Sequence, residues 1–390
     1  MTPAATRPTA PTRRLTGLVA LLLALALALA ACAEEEEPDE EPEPDVDAEA
    51  DEEPDPEPEP DPDEEPEAEE PREVTLLTHD SFNVSEDVLA AFTEETGIEV
   101  TVVPSGDAGT ALNQAILTQD APQGDLLFGV DNTFLSRALD EDLFVPYTSP
   151  LLDDVDDAFI LDEQHRATPV DYGDVCLNYD RAWFEEREVD VPDDLADLTD
   201  EAYDGLLAVT NPATSSPGLA FLLATIERFG DGEHLAFWEG LVANDVVVTD
   251  GWSEAYYDEF SGTGGGERPL VVSYASSPPA EVIFADPQPD EAPTGVIEES
   301  CFRQIEHVGI LDGTDAEAEA QEFVDFMLDV RFQEDMPLNM FVFPVNERAE
   351  LPEAFLEHTV VPDDPFEIDH AEIGERREEW IDEWTATVLR

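Results

Sequence analysis

Residues 74–103 read VTLLTHDSFNVSEDVLAAFTEETGIEVTVV. The apolar run Val74-Thr-Leu-Leu-Thr78 predicts a strand, and Val84 to Glu95 predicts a helix stopped at Gly97. Ile98 to Val103 predicts the next strand, Ala108 to Gln119 a second helix, and Asp125 to Gly129 a short buried strand. Further strands are expected at Leu206–Thr210, Val246–Val248 and Leu270–Tyr274. Helices are expected at Gly218–Phe229, Glu233–Val242, Ala316–Val330 and Ala371–Leu389. Alternation of this kind predicts an α/β fold with mostly parallel sheets, and about 320 residues favour two lobes over one sheet.

Charge narrows the function. The 390 residues carry 97 acids against 16 bases, a formal net charge of −81, and every base is arginine. A phosphate backbone requires a basic footprint, so nucleic-acid binding is excluded as a working class. Docking on anionic lipid through a basic patch is disfavoured for the same reason. With 42% hydrophobic residues and 20 Phe, the chain still has the material for a sizeable core.

The two ends of the sequence differ from its middle. Arg13 and Arg14 precede an apolar run from Leu18 to Ala31, shorter than the ~20 residues a membrane span needs. It ends in Leu29-Ala30-Ala31-Cys32, which resembles the lipobox of bacterial lipoproteins. That resemblance implies a signal peptide over 1–31, a lipid-bearing Cys32, and a mature chain held outside the cytoplasmic membrane by acyl chains. Residues 33–71 then contain 24 acids and 10 prolines and no base. Such a segment buries no core and repels itself, so 32–72 is expected to be an acidic, proline-rich tether, extended at ~3.1 Å per residue. Setting it aside leaves 73 acids against 13 arginines in residues 72–390. An acid-rich, lysine-free surface suits salty surroundings, and genomic base composition would also remove lysine.

With Cys32 lipidated, Cys176 and Cys301 remain. Outside the cytoplasm two such cysteines are expected to pair; the alternative is two separate buried thiols. The six histidines form no HxxH or HExxH pattern and no CxxC occurs, so no metal site is expected. Nucleophile elbow, Walker loop and GxGxxG are all missing from the sequence, and no catalytic residue is assigned. The run Gly262-Thr-Gly-Gly-Gly266 lacks a strand-to-helix setting and reads as a loop.

Four segments carry binding potential. His79 and Asp80 follow the first strand, at the end where open α/β sheets bind ligands. Ser105-Gly-Asp-Ala-Gly109 opens the second helix, and Asn211-Pro-Ala-Thr-Ser-Ser-Pro-Gly218 precedes an apolar helix with Ser216 placed as its cap. Free amides and hydroxyls there would form an anion site without a cation. Trp252 and Tyr274 stand at strand-to-helix corners, where aromatic faces beside carboxylates suit a flat organic cation, worth up to ~2 kcal/mol per desolvated contact. Each segment also has a purely structural use, as cap, turn or core.

In order, Leu77-Thr-His-Asp-Ser-Phe82, Gly106-Asp-Ala-Gly109, Leu127-Phe-Gly-Val-Asp-Asn132 and Pro169-Val-Asp-Tyr-Gly173 resemble the thiamine-binding lipoproteins of ABC importers. So do Thr214-Ser-Ser-Pro-Gly-Leu219, Gly251-Trp-Ser-Glu-Ala-Tyr256, Ser273-Tyr-Ala-Ser-Ser-Pro278, Phe343-Pro-Val345 and the helix bearing Trp380 and Trp384. The likeness spans essentially all of 73–390. It implies a two-lobed type II solute-binding fold, each lobe a mostly parallel sheet flanked by helices. Lobe 1 would take about 73–172 plus 280–330, and lobe 2 about 173–279 plus 331–390. The chain would cross between them near Tyr172–Cys176 and Ser276–Val282. The resemblance implies ligand contacts at Asp107 and Ala108, a phosphate-facing pair at Ser215 and Ser216, a stacking ring at Trp252, and a tyrosine-led turn at Tyr274, Ala275, Ser276 and Ser277. His79 stands where some members have tyrosine, and Ala280 where others have an aromatic. The implied ligand is thiamine, its monophosphate or its diphosphate, with no cofactor. The implied partners are a permease and an ATPase encoded separately, for a receptor that is a monomer and not an enzyme. Rival readings are a polyamine or other organic-cation receptor, a ferric-ion binder using Tyr256-Tyr257, and a secreted hydrolase.

Overall fold

The computed structural model describes residues 72–263 and 265–390. The expected signal peptide, Cys32, the tether up to residue 71, and Gly264 lie outside the described residues.

The opening unit runs β1 (Arg72–Thr78), α1 (Glu86–Thr96), β2 (Ile98–Pro104), α2 (Ala108–Leu117) and β3 (Leu126–Asp131). Ser85 caps α1 by accepting from the Val88 amide, and Gly97 ends it with φ 73°. Val74 and Leu76 enter one core while Leu77 enters another, because successive strand residues point to opposite faces and helices cover both. After α3 (Leu135–Asp140) and the short β4 (Phe144–Val145) comes a long strand, β5 (Thr168–Asp180), then α4 (Arg181–Arg187). A second parallel set follows: β6 (Leu207–Thr210), α5 (Ser216–Phe229), α6 (Glu233–Ala243), β7 (Val247–Thr249) and β8 (Leu270–Tyr274). The chain returns through α7 (Pro278–Ile283) and the longest strand, β9 (Thr294–Leu311). It closes with α8 (Glu317–Leu328), α9 (Val330–Asn339), β10 (Phe343–Pro344), α10 (Glu353–His358) and α11 (His370–Val388).

The ten strands among the described residues form one sheet in the order β2-β1-β3-β9-β5-β8-β6-β7, with β4 on β9 and β10 on β5. Parallel pairing is confined to the outer strands, β1 with β2 and β3, and β6 with β7 and β8. Between them β9 and β5 run antiparallel and join the two halves. The return crossing therefore lies inside β9, not at Ser276–Val282, which holds the start of α7. The crossing is marked by a register shift: Val175 faces Phe302 but Leu177 faces Ile297, leaving residues 298–301 as an excursion. A disulfide between Cys176 and Cys301 pins that excursion.

Two expectations about the C-terminal third change. The helix expected over 316–330 stops at Leu328, where Asp329 leaves helical geometry and caps α9 by accepting from Arg331. Phe332 and Met336 of α9 pack with Val74, Leu76 and Phe128, so this part of 331–390 sits with the first half. Helix α11 touches both α3 and α6.

Helix α5 is apolar on every side, and Ser216 through Ile226 are all buried, as a helix enclosed by sheet and helices must be. At its start Gly218 lies against β6, where a Cβ would stand 2.5 Å from the Thr210 carbonyl oxygen. Both partners are backbone and neither side can yield. Gly218→Ala is expected to lower the urea midpoint at unchanged slope, by about 2 kcal/mol of stability. An unaltered midpoint would refute the close helix–strand approach.

Candidate functional site

Six parallel-strand ends converge on one cleft. The residues following β1, β2, β6, β7 and β8 line it, and Asp131 at the end of β3 bonds to the lining Ser216, as expected when both parallel sets point their carboxyl ends toward the junction. The cleft has a volume of about 630 Å³. His79, Asp80, Asp107 and Ala108 line it from the first half, and Ser216, Trp252, Tyr274 and Ser277 from the second. Ser215, Ala275 and Ser276 do not line it. The Ser215 hydroxyl is buried and donates to Thr210 Oγ1 at 3.0 Å. Ala275 is buried beside the disulfide, its N–H donating to Asp174 O and its carbonyl accepting from Val360. Ser276 Oγ donates to Phe341 O at 2.5 Å.

The expected open anion site is already filled from within. Asp107 caps α2 by accepting from the Ala108 amide at 2.7 Å. Its carboxylate also accepts from the Ser216 amide at 3.2 Å and the Trp252 amide at 2.8 Å. Three amides from three elements thus converge on one side-chain anion, which bridges the two halves. Ser216 is the first residue of α5 rather than its cap; Ser215 occupies the cap position without a side-chain cap bond. The Ser216 hydroxyl donates to Asp131, leaving neither serine hydroxyl free. Burial pushes the Asp107 carboxyl up to about 6 despite the amides that favour its charge.

Aromatic rings form one wall. Trp252 stacks on Tyr256 with centroids 4.9 Å apart and planes 17° off parallel, and Tyr274 meets Trp252 edge-on at 6.3 Å. The indole is held in place by its Nε1, which donates to Ser273 Oγ at 2.9 Å; that hydroxyl pairs in turn with Ser277 Oγ at 2.8 Å. Tyr256 is buried among Ala208, Phe260 and Val271, and its hydroxyl donates to Glu281 at 3.2 Å. Burial raises both Tyr256 and Glu281. The neighbouring Tyr257 also lines the cleft and meets the Tyr256 ring edge-on at 5.4 Å, but it is 56% exposed where Tyr256 is buried.

The charge of the lining has one sign. Among the described residues, Asp80, Asp107, Glu281 and Glu306 border the cleft and no arginine does. His79 is neutral, because burial pulls it down to about 4. Its ring lies over Gly129, where a Cβ would come within 2.4 Å of Cδ2. Among the described residues no cluster of three His, Cys, Asp or Glu side chains is arranged to hold a metal. Sequence reasoning offered Tyr256 only as half of a ferric-ion pair, and missed Glu281 and Glu306 as lining residues. Tyr256 and Glu281 follow Trp252 and Tyr274 in the same corners and were within reach of that logic. Glu306 was not, since nothing in its neighbourhood reads as a strand end.

Residues 122–362 match the family described as bacterial extracellular solute-binding protein. The thiamine-binding periplasmic protein of Escherichia coli (strain K12) is 28% identical over 81% of this chain and 94% of its own length. Its counterpart from Brucella abortus is 29% identical over 83% of this chain and 94% of its own. Among solved structures, a periplasmic thiamin binding protein superposes with a TM-score of 0.72 at 27% identity, covering 82% of this chain and 96% of that one. The iron-bound HitA of Pseudomonas aeruginosa shares the fold, with a TM-score of 0.64 at 19% identity over 81% of this chain and 99% of that one. The strand order, the two linking strands and the cleft between halves are those of the two-lobed type II binding proteins. The chain belongs to the bacterial extracellular solute-binding proteins.

Proposed function

We propose that this chain is the receptor of a thiamine importer, which captures the vitamin between its halves and presents it to a membrane permease driven by an ATPase. The observation that carries this reading is the cleft itself: the Trp252–Tyr256 stack and Tyr274 form a flat aromatic wall, facing four carboxyls and no arginine. Thiamine pairs a cationic thiazolium with a flat aminopyrimidine, and such a wall with such charge suits both. The thiamine-binding proteins at 28–29% identity support the same ligand. On this reading Asp107, Ala108, Ser216, Trp252, Tyr274, Ser277, His79 and Asp80 contact the ligand, while Ser215, Ala275 and Ser276 shape the walls. The binding domain is 73–390, tethered through 32–72 to a lipid on Cys32. It works as a monomer and its task is capture, with no chemical step. The halves close by bending β5 and β9, the two strands that join them.

The iron reading lacks support in the geometry, because the Tyr256 hydroxyl is engaged by Glu281 inside a packed core. A polyamine would satisfy the carboxyls and could set its ammonium groups over the rings, but it has no flat ring to lie along the Trp252–Tyr256 stack. Calorimetric titration of the purified protein in high salt decides among them, with thiamine, its mono- and diphosphates, spermidine and ferric citrate as separate ligands. Submicromolar thiamine binding is expected. Binding of spermidine or iron without any thiamine form would sink the proposal.

A further inference from the structure

Beneath the aromatic wall, three acids lie abreast across three adjacent strands. In the antiparallel register Asp131 of β3 faces Glu306 of β9, and Glu306 faces Asp171 of β5. Directly opposed residues place their side chains on the same face within contact distance, where like charges repel. All three are buried: Asp131 is fully so, Asp171 is 1% exposed and Glu306 5%.

Their hydrogen bonding is unequal. Asp131 accepts from Thr133 Oγ1 at 2.7 Å, from the Phe134 amide at 3.1 Å and from Gln304 Nε2 at 3.1 Å, besides the Ser216 hydroxyl. With the Thr133 amide at 3.1 Å, five donors sustain its charge. Neither oxygen of Asp171 has any N–H or O–H donor from the rest of the described residues. Its cross-strand neighbour is Glu306, and two buried carboxyls set directly opposite one another favour a state in which one keeps its proton. The groups facing the pair from the surrounding elements offer no positive charge. His79, after β1, holds Nε2 3.5 Å from Glu306 without a hydrogen bond and is neutral. Asp107 at the head of α2, Asp131 and the Tyr274 hydroxyl on β8 supply only negative or neutral groups. Arg303, two strand positions from Ile305, is committed to Asp174 at 2.7 Å. Burial pushes both Asp171 and Glu306 upward, and the neighbouring acids push Glu306 further.

Glu306 borders the cleft. We propose that the Asp171–Glu306 pair is the counter-ion for the cationic part of the ligand and gives up its shared proton when that cation enters. This inference rests on the reading of the cleft as a site for an organic cation such as thiamine. In the empty protein the pair carries one negative charge and one proton. Ligand entry breaks the carboxyl O–H bond, leaves the electron pair on oxygen, and sends the proton to solvent. The second negative charge appears only when the ligand's positive charge is there to balance it. A neutral isostere gains nothing from the pair, so the device selects for charge as well as shape.

The test is calorimetry of the full protein with thiamine at pH 7, in buffers of different protonation enthalpy. Close to one proton released per thiamine is expected. Affinity should rise with pH, by up to about tenfold per pH unit while the pair still holds its proton. The neutral thiophene isostere 3-deazathiamine should bind more weakly and show neither effect. Glu306→Gln should abolish the proton release, weaken thiamine about 10- to 100-fold, and erase most of the preference over the isostere. If that variant does not fold, Asp171→Asn serves instead: it leaves Glu306 free to ionise alone, and should keep the preference while lowering the proton count. Thiamine binding with no buffer dependence in the wild-type protein, or equal binding of the isostere, overturns the inference alone. Failure of thiamine to bind at all overturns the receptor reading and this inference together.

Discussion

Trp252→Ala is expected to weaken thiamine binding by about 100-fold, the scale on which central aromatic anchors act in binding sites. The indole is fixed on three sides. Its ring stacks on Tyr256, its Nε1 donates to Ser273, and its backbone amide holds the Asp107 carboxylate that bridges the two halves. Alanine keeps the amide and loses the ring, so the bridge survives while the flat wall is removed. Trp252→Phe keeps a ring face without the Nε1 donor, and should recover most of the loss. Circular dichroism on both variants separates a lost wall from a lost fold, because Trp252 also packs on the small core of Tyr256, Phe260 and Val271. Binding by a folded Trp252→Ala protein within about threefold of wild type would place the ligand elsewhere.

The largest stability effect is expected at the disulfide. Cys176 and Cys301 are 125 residues apart in sequence and meet where β5 and β9 pass between the halves. Closing so long a loop restricts the unfolded chain, worth about 4–5 kcal/mol on the chain-entropy account. The double change Cys176→Ala, Cys301→Ala should therefore lower Tm by about 10 °C. Both sulfurs are buried, so reductant should act on the native protein slowly and on the unfolded protein at once. Calorimetric scans of the variant and of the reduced wild type check this, and the two should coincide. Scans of the variant that match the oxidised wild type would show that the bridge does not constrain the unfolded chain. The local geometry adds to the cost. Residues 298–301 leave the ladder at this point, and Ser300 Oγ accepts the Leu177 amide at 2.8 Å in place of a strand partner.

The outer strands and their helices were legible because their residues are apolar in short runs or at helical spacing, whether or not each is fully buried. Strand β3 is buried along its whole length, and α5 on every side. Strands β5 and β9 were not anticipated. Within them Asp171, Asp174, Asn178, Gln304, Glu306 and His307 are buried, so neither reads as an apolar run nor alternates. Their strand character comes from partners on both sides, which no local pattern records. The same gap hid the carboxyl row, since Asp131, Asp171 and Glu306 are far apart in sequence and are three among the 73 acids of residues 72–390, all of equal appearance. The serines of the 211–218 turn failed in the opposite sense. Their types suit an anion site, yet the anion they meet is Asp107 or Asp131 of the same chain.

What the sequence determined by itself was the α/β class, the strand ends that carry His79, Asp107, Trp252 and Tyr274, and the pairing of two cysteines. Each of these follows from a local rule: apolar periodicity, the position of a corner after a strand, or the count of thiols outside the cytoplasm. What only the tertiary structure decided was which polar groups consume one another. Three amides close on Asp107, five donors close on Asp131, and Asp171 and Glu306 are left facing each other. The reason is physical: a buried polar group is satisfied by whatever the fold brings within hydrogen-bond distance, and register across β3, β9 and β5 sets that distance, not separation along the chain.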